Sequence, residues 1–130
     1  MLVVRSIITL LCAAGLYASV FMQRKSVRAA HGEVPGPSVV KLRRAKLFGG
    51  IPNSALGIVY YVALPALVWS TSSLVALSLA LAAAVTAAGT SLYLAYSLLF
   101  ITRRECPYCW TAHAANWSLA ACVAVLFFVR

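Results

Sequence analysis

Acidic side chains are nearly missing from this chain: two Asp plus Glu in 130 residues, Glu33 and Glu105, against eleven Lys plus Arg. Charge of either sign is scarce, at 10% of residues against 63% hydrophobic. That balance excludes a water-soluble globule, in which about a quarter of residues are charged. Cysteine is absent from residue 13 to residue 105. No internal repeat and no amphipathic presequence is evident, and the length leaves no room for a second domain beside the apolar runs. The +9 net charge does not make a nucleic-acid surface either. Nine of the eleven basic residues lie in two short connections, 24–46 and 103–104, where they contact lipid headgroups and bias topology.

What is present is apolar sequence in long runs. Residues 2–22, 51–69, 74–101 and 107–129 each come close to or exceed the roughly 20 residues that cross a ~30 Å hydrocarbon core as helix. They predict an all-α, integral-membrane, multi-pass four-helix bundle of up-and-down order, a single membrane domain over residues 1–130. The first run is followed directly by Gln23, Arg24 and Lys25 and reads as a retained signal-anchor helix. The loop 23–50 is the sizeable polar segment, and Pro35-Gly36-Pro37 breaks it. Residues 39–48 mix apolar and basic side chains, which suits either a short helix on the membrane surface or a disordered basic loop. Trp69 to Ser73 is an uncharged turn, and Ala82, Ala83, Ala84, Ala87, Ala88 and Gly89 let the third span approach its neighbours closely.

The chemistry is concentrated at Cys106-Pro107-Tyr108-Cys109, at the start of the last span. Pro107 suits the first helical position, where its missing N–H costs nothing, and Cys106 becomes the N-cap. The helix dipole and the adjacent Arg103 and Arg104 favour a thiolate there, opposed by Glu105. A Cys-x-x-Cys pair so placed suits disulfide exchange; an inert buried pair is the alternative. A structural zinc site needs four ligands, and Cys106, Cys109 and His113 supply three, so no metal is expected. Haem attachment needs His directly after the second cysteine, where Trp110 stands.

At about 100° per residue, Cys106, Cys109, His113 and Asn116 fall in one helix stripe about 120° wide, while Cys122 faces away. Polar groups at membrane depth face a cavity or a neighbouring helix. Asn53-Ser54 opens the second span, with Gly57 on the face of Asn53 and Tyr60-Tyr61 beyond. Together these residues describe a slot between the second and fourth spans, with Gly57, Tyr60, Trp110 and Asn116 as lining and thiol, amide and imidazole at one end. A flat, hydrophobic two-electron acceptor with carbonyls at its edge, a quinone, fits such a slot as substrate or bound ligand.

These residues resemble the vitamin K epoxide reductase family of integral-membrane thiol oxidoreductases. The resemblance runs from residue 48 to the end, through Asn53-Ser54-Ala55-Leu56-Gly57, Ala88-Gly89-Thr90-Ser91-Leu92-Tyr93, the Cys106/Cys109 motif and Ala115-Asn116-Trp117-Ser118-Leu119. It implies Cys106 as the exchange thiol, Cys109 as the quinone-side thiol and Asn53 as a hydrogen-bond donor to one quinone carbonyl. His113 stands where animal members carry a tyrosine that binds the other carbonyl. The chain departs from the family in lacking the relay cysteine pair after the first span. Two readings therefore stay open: a thiol–quinone oxidoreductase, with a thiol-donor protein as partner, or a non-catalytic subunit of a larger, for example respiratory, membrane complex. The resemblance implies a lumenal motif, whereas the basic loop implies a cytoplasmic or matrix one. The membranes in view are endoplasmic reticulum, mitochondrial inner or bacterial plasma membrane.

Overall fold

A computed structural model of the chain describes residues 1–47, 50–70 and 73–130. Helix α1 (Leu2–Ala30) has 29 residues, about 44 Å of helix, and outruns a ~30 Å hydrocarbon core. The apolar run ends at Met22, but Gln23, Arg24, Lys25, Arg28, Ala29 and Ala30 are strong helix formers and carry the helix on. It stops at Gly32, whose φ of 74° suits the left-handed position past a helix end. The Gly32 N–H donates to the Ala29 carbonyl oxygen at 3.1 Å and the Glu33 N–H to that of Arg28 at 2.9 Å, which satisfies the last carbonyls. The expected loop 23–50 is thus corrected: its first eight residues are helix.

The connection that follows holds two single 3-10 turns, Val39–Lys41 and Arg43–Ala45. It ends in the antiparallel pair β1 (Lys46–Leu47) and β2 (Ile51–Pro52). The surface helix expected over 39–48 does not form among the described residues, and Phe48 lies outside them. Lys41 instead folds the Pro-Gly-Pro segment back, its ammonium donating to the carbonyl oxygens of Val34 at 2.6 Å and Gly36 at 2.9 Å.

Helix α2 (Asn53–Trp69) has 17 residues, about 26 Å, because Ile51 and Pro52 of the expected span belong to β2. Helix α3 (Leu74–Tyr96) continues into a π-helical segment, Ser97–Thr102, and α4 covers Pro107–Val129. Three helices, Leu2–Ala30, Leu74–Thr102 and Pro107–Val129, are long and apolar enough to cross a membrane; α2 is apolar and shorter. The turn expected at residues 69–73 includes Thr71 and Ser72, which lie outside the described residues.

The helices alternate in direction. Helix α1 packs most extensively on α2 and α4, α4 also on α3, and α2 less extensively against α3. At one end the Trp69 indole N–H donates to Thr9 Oγ1 at 2.9 Å, with the Arg5 guanidinium 6.0 Å from the ring centre. Above that end Ile8, Cys12, Leu64, Val68, Leu119 and Val123 are fully buried. Two glycines bring α1 and α2 together: the Tyr61 ring lies where a Cβ of Gly15 would stand, and a Cβ on Gly57 would lie 2.6 Å from Ser19 Oγ. The packed half of the molecule therefore lies away from the helix ends that carry Asn53 and Cys106.

Candidate functional site

Cys106 is the N-cap of α4, extended at φ −149° and ψ 91°, with Pro107 in the first turn, as the sequence predicts. Its Sγ accepts a hydrogen bond from the Cys109 N–H at 3.3 Å. One helical turn holds the two Cα atoms 5.2 Å apart, and the sulfurs are joined in a disulfide. Arg103, at φ 47°, turns the chain from the π-helical segment toward the motif; for a non-glycine residue this left-handed conformation is uncommon.

The disulfide stands between two cavities. Cys109 lines an inner chamber with Asn53, Ser54, Tyr108, Ser97 and His113. Cys106 lines an outer cleft with Lys25, Ser38, Arg104 and Glu105. The chamber encloses about 90 Å³, several times the ~10–15 Å³ that a single water needs, so it is room for a ligand group and not a packing flaw. Its walls come from every helix: Ala18 and Ser19 of α1, the start of α2, the end of α3 with its π-helical turn, and the first turns of α4. Val40 and Leu42 of the loop close it. The slot expected between the second and fourth spans alone is therefore wider in origin, with α1, α3 and the loop contributing.

Three polar atoms in this chamber have no protein partner among the described residues: His113 Nδ1, His113 Nε2 and Ser97 Oγ. His113 is 3% exposed and Ser97 3%. Its ring is held by Trp110, edge-on at 5.8 Å, and by Trp117, stacked at 6.2 Å. A buried polar group without a partner costs about 1–3 kcal/mol, so this donor and acceptor set fits a ligand that presents hydrogen-bonding oxygens. The Tyr108 ring stacks on Phe21 at 3.9 Å and fixes the chamber rim to α1. Ser54 Oγ donates to Gln23 Oε1 at 2.8 Å, which ties the first turn of α2, and hence Asn53, to the helical extension of α1.

Asn53, Cys109 and His113 are thus brought together, with Cys106 one turn away. The four residues expected as lining are not in the chamber wall. Gly57 packs against Ser19 and allows close approach of α1 and α2. Tyr60 is half-buried against Tyr61, its ring centre 5.0 Å away, and Trp110 stands behind His113. Asn116 spans helices: its amide donates to Ser91 Oγ at 2.6 Å and its oxygen accepts from the Tyr61 hydroxyl at 2.6 Å, which also reaches the Ala112 carbonyl at 3.2 Å. The stripe drawn from helix periodicity put Asn116 on the chamber side, but its amide is engaged between α2, α3 and α4 and is not in the chamber lining. Ser97 was missed, because its signal is a local π-helical turn, a feature that often marks functional sites and has no sequence pattern here. Arg104 shares the cleft with Cys106; Arg103 is not in its lining.

The contrast between His113 and Asn116 has a direct consequence. Asn116→Ala removes the shared partner of Ser91 and Tyr61 and is expected to cost about 1 to 2 kcal/mol of stability, the scale of interhelical hydrogen bonds in membranes. Heating the detergent-solubilised protein and following the loss of its monodisperse peak measures this. An unchanged midpoint would mean that the three helices are held without this knot.

The sequence model of one protein family, described as the vitamin K epoxide reductase family, matches residues 6–124 of the chain.

Proposed function

The chain belongs to the vitamin K epoxide reductase family, and from that premise we propose that it exchanges two electrons between the Cys106/Cys109 pair and a quinone. The family and the apolar helices make it an integral-membrane protein of a thiol-oxidoreductase family; the proposal extends to all four helices crossing the bilayer. The observation that carries the reading is the position of the disulfide, with Cys109 on the inner chamber and Cys106 on an adjoining polar cleft. A reductant and a ligand can then approach different ends of one disulfide.

His113 and Asn53 are the residues that would hold the quinone carbonyls, His113 because both ring nitrogens are buried and unpartnered by protein. The quinone supplies a carrier for two electrons and two protons, so that dithiol plus quinone balances disulfide plus hydroquinone. What the chain itself does is separate the sulfurs by role, keep His113 and Ser97 dry, and exclude water with Val40 and Leu42. With no cysteine between residues 13 and 105, Cys106 meets its thiol partner directly, without a relay.

The test uses the full chain in lipid nanodiscs, reduced and freed of reductant, then mixed with a short-tailed quinone. The expected result is quinol formation equal to the amount of protein, with the Cys106–Cys109 disulfide re-forming as read by alkylation and mass. If the thiols persist unoxidised in the presence of bound quinone, the reading fails. The accessory-subunit reading, which the missing loop cysteines favour, then takes its place.

A further inference from the structure

The outer cleft has a volume of about 310 Å³, and its composition differs in kind from that of the chamber. Its lining brings Cys106, itself 6% exposed, together with two half-buried cations, Lys25 and Arg104, and a single carboxylate, Glu105. Two further cations near this end are committed elsewhere: Lys41 to two backbone carbonyls and Arg28 to Glu33 at 3.2 Å. Lys25 and Arg104 form no ion pair among the described residues. Ser38 is also in the lining, and its buried Oγ has no hydrogen-bond partner among the described residues. The cleft therefore offers two positive groups against one negative, a spare hydroxyl, and a disulfide sulfur at its floor. Lys25 is available there because α1 continues as helix eight residues past its apolar run, which carries that side chain over the start of α4.

We infer that this cleft receives a small anionic thiol, whose acid group pairs with Lys25 and Arg104 while its sulfur attacks Cys106. The inference rests on the redox reading of the Cys106/Cys109 pair, and not on the quinone. In the first step the thiolate attacks Cys106 Sγ, the Cys106–Cys109 bond breaks, and Cys109 leaves as thiolate and takes up a proton. A second molecule of the same thiol attacks the sulfur of the bound one, forms the small-molecule disulfide and releases Cys106, which takes up a proton. Two thiols and one protein disulfide become one small disulfide and two protein thiols, so electrons and protons balance. A protein dithiol is disfavoured by the recess itself, since Cys106 lies on the floor and Pro37, Ser38 and Val39 form the adjoining wall.

The experiment uses three thiols of similar size and different charge: 2-mercaptoethanesulfonate, 2-mercaptoethanol and cysteamine. Each reduces the full-length disulfide form in nanodiscs of zwitterionic lipid without quinone, followed by quenched alkylation and mass, and each rate is divided by that against an uncharged reference disulfide. The sulfonate is expected to be about tenfold faster than the neutral thiol, the lower end of electrostatic focusing in a charged cleft, and cysteamine slowest. Lys25→Gln with Arg104→Gln should bring the three rates together, and Lys25→Glu with Arg104→Glu should reverse their order. Arg43→Gln, a loop cation outside the cleft lining, should leave the series intact. Should the double variants fail to fold, the wild-type preference must collapse at an ionic strength of about 1 M, where the screening length is ~3 Å. Equal normalised rates in the wild type, or a preference that survives loss of both cations or high salt, overturns the inference. Because no quinone is present, that failure leaves the quinone reading standing. An intact charge series without quinol formation would remove the quinone reading alone.

Discussion

In a Cys109→Ser variant, quinol formation falls to the uncatalysed rate with every thiol reductant, and Cys106 stays a free thiol that becomes a mixed disulfide only when the small-molecule disulfide is added. A serine hydroxyl can form no disulfide, so the pair loses the member that faces the chamber. Cys106, on the outer cleft, can still attack a small disulfide and hold one half of it while the other half leaves as thiolate, but no neighbouring thiol then resolves the adduct. The reverse variant, Cys106→Ser, also loses turnover but collects no adduct at the protected chamber position. Quinol assay and intact mass of the two variants check both statements. Activity that persists in Cys109→Ser would mean that electrons bypass the pair, and the enzymatic reading would be sunk.

His113→Phe produces two changes of opposite sign: weaker quinone binding and a more stable protein. The imidazole is buried, both its nitrogens lack a protein partner among the described residues, and aromatic rings flank it. Phenylalanine keeps the ring contacts and removes the desolvated polar atoms, whose burial costs about 1–3 kcal/mol. The ligand loses one hydrogen bond and keeps a buried carbonyl unpaired, about 1 to 2 kcal/mol or roughly five- to thirtyfold in affinity. Asn53→Ala is expected to weaken binding on the same scale, without the gain in stability, since Asn53 is only half-buried. Cys122→Ala, a free thiol packed against the hydrophobic core on a different face, should change neither quantity appreciably. Quinone titration and thermal unfolding on the same four samples separate the outcomes. A His113→Phe protein that is less stable would mark the imidazole as a structural group and remove it from the ligand site.

Stability is thereby given up at the chamber and recovered in the packed half of the molecule. The core of Ile8, Leu64, Val68, Leu119 and Val123 fills the end near Trp69, and the tight contacts at Gly15 and Gly57 draw α1 and α2 together nearer the chamber. The Asn116 knot with Ser91 and Tyr61 lies between that core and the chamber. It uses polar groups for cohesion where His113 and Ser97 hold theirs in reserve, a division typical of sites that trade stability for function.

The sequence by itself determined the class of structure and the location of the chemistry. Long apolar runs dictate helices, because lipid leaves backbone groups no other partner. Pro107 beside Cys106 favours an N-cap, because that ring fits the first helical turn, where its missing N–H costs nothing; both follow from contacts within a few residues. The end of α1 at Gly32 was legible on the same grounds, since glycine followed by Pro35 is a stop signal, yet the hydropathy boundary at Met22 concealed it. Tertiary structure alone decided which polar residue of α4 faces a void. His113 and Asn116 are three residues apart and nearly equivalent on a helical wheel. Asn116 is engaged because Ser91 and Tyr61 arrive from other helices, whereas no hydrogen-bond partner meets His113 among the described residues. It likewise decided that Gly57 closes a helix contact and that Ser97 enters the chamber wall. Lys25, read as a lipid contact, comes to stand beside the exchange cysteine. Such outcomes depend on the relative rotation and approach of helices far apart in the chain, which the periodicity within one helix does not encode.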